Sequence, residues 1–352
     1  MTLPADATGA PIPSRTTLTI GPLDDADRQA FAALETDVIW CDRSDRRRFT
    51  LSGPKAAEVL GGLVTNDVAR LEAGAGQLAA ALTPKGKVIA VLRVLRLSGD
   101  ELLVDADARS GPGFFAMIRK YINPKLAAYR DVTESTACIG LYGAAAVQAV
   151  RTLCAQCGVQ LPDGLDTLAP YHVANVDASE GRWTVMRSPD LGPTGYDLIV
   201  PIAALPQLRT ALVDVPMATG AVCELARIEA GRPAWGVDLD DSTIPQEAAL
   251  ERLQAISFDK GCYTGQEVVA RLHFRGHVNK RLVWLRSAGA QPLQSGAEVA
   301  TLEGNVVGDV RSSAVRPDDR CIALAMVRRE VVDGATVRVG DVEVRVEDLP
   351  SS

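Results

Sequence analysis

No apolar run in this chain is long enough to cross a membrane. A spanning helix needs about 20 predominantly apolar residues. The most apolar stretch, ACIGLYGAAAVQAV at 137–150, is shorter and is followed by Arg151, so it predicts a buried strand leading into a helix. Basic residues are not in excess either. The formal net charge is −7, which argues against duplex nucleic acid or an anionic membrane surface as the main partner. A dense cysteine framework is also missing. The seven cysteines, at 41, 138, 154, 157, 223, 262 and 321, are odd in number and scattered, so a reducing cytoplasm is the expected setting. The N-terminus lacks a basic start followed by an apolar core and does not read as a signal peptide. Its Pro-, Ala-, Thr- and Gly-rich composition predicts a mobile arm over residues 1–37. A P-loop, a GxGxxG after a strand, HExxH and GxSxG are all absent, which removes the common nucleotide, zinc-protease and serine-hydrolase signatures.

What remains is an ordinary globular composition, 47% apolar and 23% charged, in 352 residues. That length suits two or three domains. A short helix is expected over 54–62, with Pro54 near its start and glycines at its end. Two strands, 87–97 and 101–106, flank the hairpin signal Ser98-Gly99-Asp100. A helix over 113–123 must stop before Pro124. A buried strand at 136–143 leads into a helix at 144–158, closed by Gly158. Strands follow near 171–176, 183–187 and 196–200, then helices over 204–212 and 221–231. Strands and helices at irregular intervals point to an α+β fold. After residue 280 only short strands with Gly turns occur, including a Gly340-Asp341 hairpin. Residues 281–352 therefore read as a small β-barrel or sandwich.

One segment stands out chemically. Lys260 to Arg271 reads KGCYTGQEVVAR. Thr264 and Glu267 have capping-box spacing, and Tyr263 and Val268 could form a hydrophobic staple, so a helix is expected to start at Gly265. Cys262 would lie just before its positive end, with Lys260 beside it, surroundings that favour a thiolate. The alternative is a small buried hydrophobe in a tight turn. Lys260, Arg271, Arg275, Lys280 and Arg281 against the single acid Glu267 make a basic island able to hold carboxylates or phosphates. His273 and His277 are split by Gly276, and no second thiol completes a tetrahedral set, so no metal site is assigned. Cys154 and Cys157 form CAQC late in a helix. A redox motif would open one, so these read as helix-face residues.

KGCYTGQEVVAR followed by FRGHVNKR (274–281) resembles the signature of the YgfZ family of folate-binding proteins. That family is related to the glycine-cleavage T-protein and assists maturation or repair of iron–sulfur enzymes. LVTNDV (63–68), LTPKGKV (82–88), YDLIV (196–200) and ARIEAGRPAWGVDLDDSTIPQEA (226–248) fall in the order of that superfamily. The resemblance implies a three-lobed aminomethyltransferase-like fold. Its parts would be a first α/β lobe over 38–140, completed by 216–280, a ferredoxin-like lobe over 141–215, and a C-terminal β-barrel over 281–352. It implies tetrahydrofolate or a one-carbon derivative as cofactor, and iron–sulfur client proteins or assembly factors as partners, in the cytoplasm. Cys262 would be the working thiol, with Lys260 tuning it. Asn66 and Arg227 would line the folate cavity, and Tyr263, Gln266 and Arg271 would shape its edge.

The sequence departs from the transferases of that superfamily at two places. Ala90 and Val91 stand where they carry a catalytic Asp, and Pro193 stands near the position of a Glu. Transfer of an aminomethyl group needs a carboxylate near the reacting nitrogens. An accessory role is therefore expected over a folate-dependent one-carbon transferase, for which Asp67 and Glu229 are the candidate acids. A degenerate scaffold is the third reading.

Overall fold

The structure is a computed structural model and describes residues 15–350. The chain opens with β1 (Leu18–Ile20), α1 (Asp25–Thr36) and β2 (Ile39–Asp42). The expected arm is thus corrected over 15–37. Asp24 caps α1 by accepting from the Asp27 amide, and β1 pairs in parallel with a strand near residue 312. Residues 1–14 of that arm lie outside the described residues.

Next come β3 (Arg47–Ser52), α2 (Ala56–Gly61), β4 (Gly76–Leu82), β5 (Val88–Ser98), β6 (Glu101–Ala106), α3 (Gly111–Tyr121) and β7 (Ala128–Asp131). Their strands form one antiparallel sheet in the order β4-β5-β6-β3-β7. The chain then repeats itself with β8 (Thr136–Tyr142), α4 (Ala146–Gln156), β9 (Val173–Ala178), β10 (Gly181–Arg187), β11 (Gly195–Pro201) and α5 (Leu205–Ala211). Read from the other edge, this sheet runs β9-β10-β11-β8-β2. Each half is strand, helix, three strands, helix, with its first strand between the last of the three and an edge strand. No sequence repeat announces this. One shared device does survive, a glycine where the first strand turns into its helix. Gly53 and Gly143 have φ of 126° and 129°, a region open to glycine. A Cβ on Gly143 would fall 2.3 Å from the Asp37 carbonyl oxygen.

Side chains alternate along these strands, and the alternation builds a four-layer body. Ala79, Leu92, Val94 and Val104 face α2 and α3. Ile139, Leu141, Val185 and Leu198 face α4 and α5. The opposite faces meet between the sheets, where Leu78, Leu95 and Leu103 pack with Cys138, Met186 and Ile199. Trp235, Leu239, Leu250, Tyr263 and Val269 join this inner core. The expected boundaries are corrected accordingly. Residues 141–215 do not stand alone, because β8 and β2 complete their sheet, while 47–131 hold a sheet of their own inserted between β2 and β8. The β2–β8 ladder joins segments far apart in the chain, so strand patterning along the sequence could not reveal it.

Two helices follow, α6 (Gly220–Glu229) and α7 (Gln266–Arg275), and then strands β12 (Lys280–Ser287), β13 (Glu298–Ala300), β14 (Val306–Val315), β15 (Cys321–Arg328), β16 (Thr336–Val339) and β17 (Val342–Asp348). The last six strands run β14-β13-β16-β17-β12-β15, and β14–β15 pairing closes the barrel, with β1 added on β14. The Gly340 hairpin joins β16 to β17 with φ of 59°. Among the described residues no helix is long and apolar enough to cross a membrane.

Candidate functional site

The KGCYTGQE segment is anchored by tertiary contacts. Helix α7 begins at Gln266, behind Gly265 at φ 83°, and no side chain caps it. The expected Thr264–Glu267 capping box does not form. Instead the Thr264 amide donates to the Gly62 carbonyl at 3.1 Å, and Gly265 lies against the 82–86 turn, where a Cβ would fall 2.5 Å from the Thr83 oxygen. Gly86 in turn faces Val268, 2.8 Å from where its own Cβ would be. Two motifs distant in sequence, LTPKG and KGCYTGQE, therefore need glycine at their meeting point.

Lys260 is held by the loop that carries the VTN motif. Its ammonium donates to the carbonyls of Gly61 (2.6 Å), Val64 (2.6 Å) and Asn66 (2.9 Å), which uses all three of its protons. Burial lowers its pKa to about 8, against the pull of Asp67. These three bonds pin the VTN loop, so Lys260 has an anchoring role. Cys262 itself is exposed, which removes the buried-hydrophobe alternative. Tyr263 goes the other way. It is 8% exposed in the inner core, and burial pushes its phenol up to about 12. Gln266 is half-buried, and Arg271 is exposed on α7 with no ion pair among the described residues.

Accessibility sets an expected order of thiol reactivity. Burial pushes Cys138 and Cys154 up to about 12 and also raises Cys157 and Cys321. Thiolate is the reactive form, so Cys262 should alkylate ahead of these four, by at least tenfold over Cys154. Mass spectrometry of partly alkylated protein reads this directly, and earlier labelling of Cys154 or Cys157 would show that Cys262 is not the accessible nucleophile.

The other expected cavity residues hold the fold together. The Asn66 amide donates to the Leu78 and Gln254 carbonyls, both at 2.8 Å. Arg227 is buried, and its guanidinium binds Glu224, the Arg232 carbonyl, Asp238 and Ser312. It thereby ties α6 to the barrel and has no donor turned toward a ligand. Asp67 closes its own turn on the Ala69 and Arg70 amides, and Glu229 pairs with Arg316 at 2.9 Å. His273 stacks on Phe258 with ring centroids 3.6 Å apart and meets Glu251 at 2.9 Å. Among the described residues no group of three or more possible metal ligands gathers.

A charged network between the sheets is the feature that sequence reading missed. Arg93 on β5 is 2% exposed. It binds Asp105 at 2.9 Å, Asp190 at 3.1 Å, and Asp197. Arg43 reaches the same Asp190 at 3.0 Å and also touches Asp197 and the Tyr142 hydroxyl. Arg46 adds a second cation to Asp105. Burial pushes the Asp105 carboxyl up, but Arg46 and Arg93 more than offset this and hold it at about 2. Asp190 is likewise lowered, with burial outweighed by Arg43 and Arg93. Tyr171 donates to Asp190 at 3.0 Å from a backbone at φ 64°, a strained region for a non-glycine residue. Several buried donors here have no partner: Arg93 Nη2, Arg232 Nε and Nη1, and Trp235 Nε1. The charge of Arg232 acts on both Asp190 and Tyr171, and Trp235 and Tyr171 share the inner core. A single signal was available in the sequence, Arg93 inside the apolar run KVIAVLRVLRL.

The family model for the GCVT N-terminal domain matches residues 21–260, and that for the CAF17 C-terminal beta-barrel domain matches residues 279–350. A tRNA-modifying protein YgfZ from Klebsiella pneumoniae is 30% identical over 86% of this chain and 90% of its own length. The chain belongs to the YgfZ family within the GCVT superfamily. An aminomethyltransferase from Thermotoga maritima is 26% identical over 86% of this chain and 81% of its own. The crystal structure of the glycine cleavage system aminomethyltransferase T from Bartonella henselae superposes with a TM-score of 0.81, covering 97% of this chain and 95% of that one at 22% identity. The fold is therefore aminomethyltransferase-like, with a closed six-strand barrel at its C-terminal end. Within it, Ala90 packs on the helix side of its sheet and Val91 on the inner side. The Pro193 carbonyl accepts from Arg187 at 2.9 Å. None of these positions offers a carboxylate.

Proposed function

We propose that this chain is a tetrahydrofolate-binding accessory protein for the assembly or repair of iron–sulfur enzymes, with Cys262 as its exposed working thiol. The unpaired buried donors of Arg232 and Trp235 carry the reading. An unsatisfied buried donor costs about 1–3 kcal/mol, and an acceptor-rich ligand would satisfy these. A pterin ring supplies carbonyl and ring-nitrogen acceptors on a flat apolar body, which suits Trp235 and Tyr171 in the inner core. Bound folate would supply a one-carbon carrier. The protein would supply orientation through Arg232, Trp235 and Tyr171, and charge balance through the Asp190 pairs. Arg271 on exposed α7, with Gln266 at the helix start, would meet the ligand's carboxylate tail. The CAF17-type barrel and the YgfZ relatives support a folate-binding or tRNA-modifying protein of the GCVT type.

The carboxylates of this network are each held by arginine, and Ala90, Val91 and Pro193 offer none. Aminomethyl transfer to folate should therefore stay at background in an assay with aminomethylated carrier protein. Titration of the full chain with tetrahydrofolate should show binding, and Cys262→Ala should bind equally well. No binding by the wild-type chain would overturn the folate reading, whereas binding lost with Cys262 would place the thiol inside the ligand site.

A second reading has one observation in its favour. Arg271, Arg275 and Lys280 are exposed beside Phe274, itself 67% exposed. Cations next to an open aromatic ring are how single-stranded nucleic acid is held, and the relatives are named as tRNA-modifying. Direct action on tRNA predicts a gel shift that weakens steeply with salt. Its absence would leave the accessory reading alone.

A further inference from the structure

We propose that Cys41 and Cys223 form a redox-sensitive dithiol, a modification site separate from Cys262 that closes to a disulfide under hydroperoxide and disturbs the buried arginine–aspartate network. The two cysteines come from different elements brought face to face. Strand β2 bridges to Met217, and the Ala218 amide donates to the Trp40 carbonyl at 2.8 Å. This sets the start of α6 beside β2. Ile39 and Cys41 point to that side of the strand and share a packing cluster with Val222 and Ala226 of α6. Cys223 borders the same helix face and packs against the cluster. Cys41 is 3% exposed, whereas Cys223 is half-buried, so one thiol is open to a small oxidant and the other is stored behind it.

The surroundings fit those two roles. The neighbouring Cys223 thiol and then burial push the Cys41 thiol up. The neighbouring Cys41 thiol lowers Cys223 against burial, and the Arg43 guanidinium lowers it further. The greater exposure of Cys223 makes it the first nucleophile and the buried Cys41 the resolving thiol. The Cys223 thiolate attacks one oxygen of the hydroperoxide. The O–O bond breaks, hydroxide (or alkoxide) leaves, and a sulfenic acid forms. The Cys41 sulfur then attacks the Cys223 sulfur. The S–O bond breaks, and water leaves with the thiol proton. Two thiols are oxidised and one hydroperoxide is reduced.

The link to the network is spatial. A Cβ on Gly140 would lie 3.1 Å from Cys41 Sγ and 3.0 Å from Asp197 Oδ1, so the sulfur and the buried carboxylate flank one glycine. Two residues after Cys41, Arg43 holds Asp190 and Asp197. A disulfide needs sulfurs about 2 Å apart, well inside thiol contact, so closure must pull β2 toward α6 and strain the Arg43 pairs.

The full-length protein is treated with stoichiometric hydrogen peroxide, alkylated, digested and analysed by mass spectrometry. The expected product is a cross-link between the peptides holding Cys41 and Cys223, reversed by dithiothreitol and absent in Cys223→Ser. Hydrogen exchange of residues 188–195 should quicken at least threefold in the bridged form. Neither readout needs folate, so failure here and failure of the folate reading are distinguishable. Full alkylation of both cysteines after peroxide, or their oxidation without a cross-link, overturns the dithiol. A cross-link that leaves exchange at 188–195 unchanged overturns its coupling to the network. Should Cys223→Ser fail to fold, the wild-type cross-link still decides.

Discussion

Replacing Arg93 by Met should destabilise this protein by about 3–5 kcal/mol, the usual cost of removing one partner from a buried ion network. Met matches much of the arginine stem, so packing loss is small. The damage comes from the charges left behind, Asp105, Asp190 and Asp197, which all meet this guanidinium between the sheets. Arg43 and Arg46 still reach these carboxylates, which keeps the loss within that range. Urea unfolding at neutral pH measures it, and a loss below about 1 kcal/mol would show that the carboxylates are compensated without Arg93. The wild type carries a matching acid signature. The Asp105 carboxyl sits at about 2 when folded, below its ordinary 3.8. It binds a proton less readily folded than unfolded, so its contribution of about 2 kcal/mol is complete above the ordinary value and is lost as pH falls through about 2. In Arg93→Met the folded value rises toward the ordinary one, so less stability should be lost across that interval.

Arg232→Leu should have the opposite profile. Two buried donors, Nε and Nη1, have no partner. Removing them relieves their desolvation, which offsets the loss of the charge that Arg232 holds near Asp190, so the melting temperature should change little. If they serve folate, each charged hydrogen bond contributes about 1.5–3 kcal/mol. Losing both, about 3 kcal/mol at the low end, weakens tetrahydrofolate binding at least about a hundredfold. Arg271→Ala, on the exposed helix, should weaken binding only about tenfold, and less at high salt. Calorimetric titration of both variants ranks the two sites. Unchanged affinity in Arg232→Leu would move the ligand out of the space between the sheets, whatever Arg271 does.

The sequence by itself determined a good part of this. Local chemistry placed the β5–β6 hairpin at Ser98-Gly99-Asp100, the helices before Pro124 and Gly158, and the strands of the barrel, because turn residues and apolar alternation act within a few residues. The specific octet KGCYTGQE carried the family, and scattered cysteines without a framework left Cys262 free. What the sequence could not determine is which strands share a sheet. Strand β2 joins β8 only through a ladder closed after a whole second sheet has been inserted, and the two halves repeat in strand order with little more than Gly53 and Gly143 in common. Side-chain roles diverged for the same reason. Lys260 reads as the cation beside a thiol, and the fold brings three carbonyls to its ammonium. Arg227 reads as a ligand group until Asp238 and Ser312 claim it. Arg93, Asp105, Asp190 and Asp197 carry no mutual signal along the chain, and only the stacking of two sheets excludes water around them and makes their pairing strong. Hydrogen-bond partners of charged groups are chosen by burial, and burial is a property of the tertiary structure.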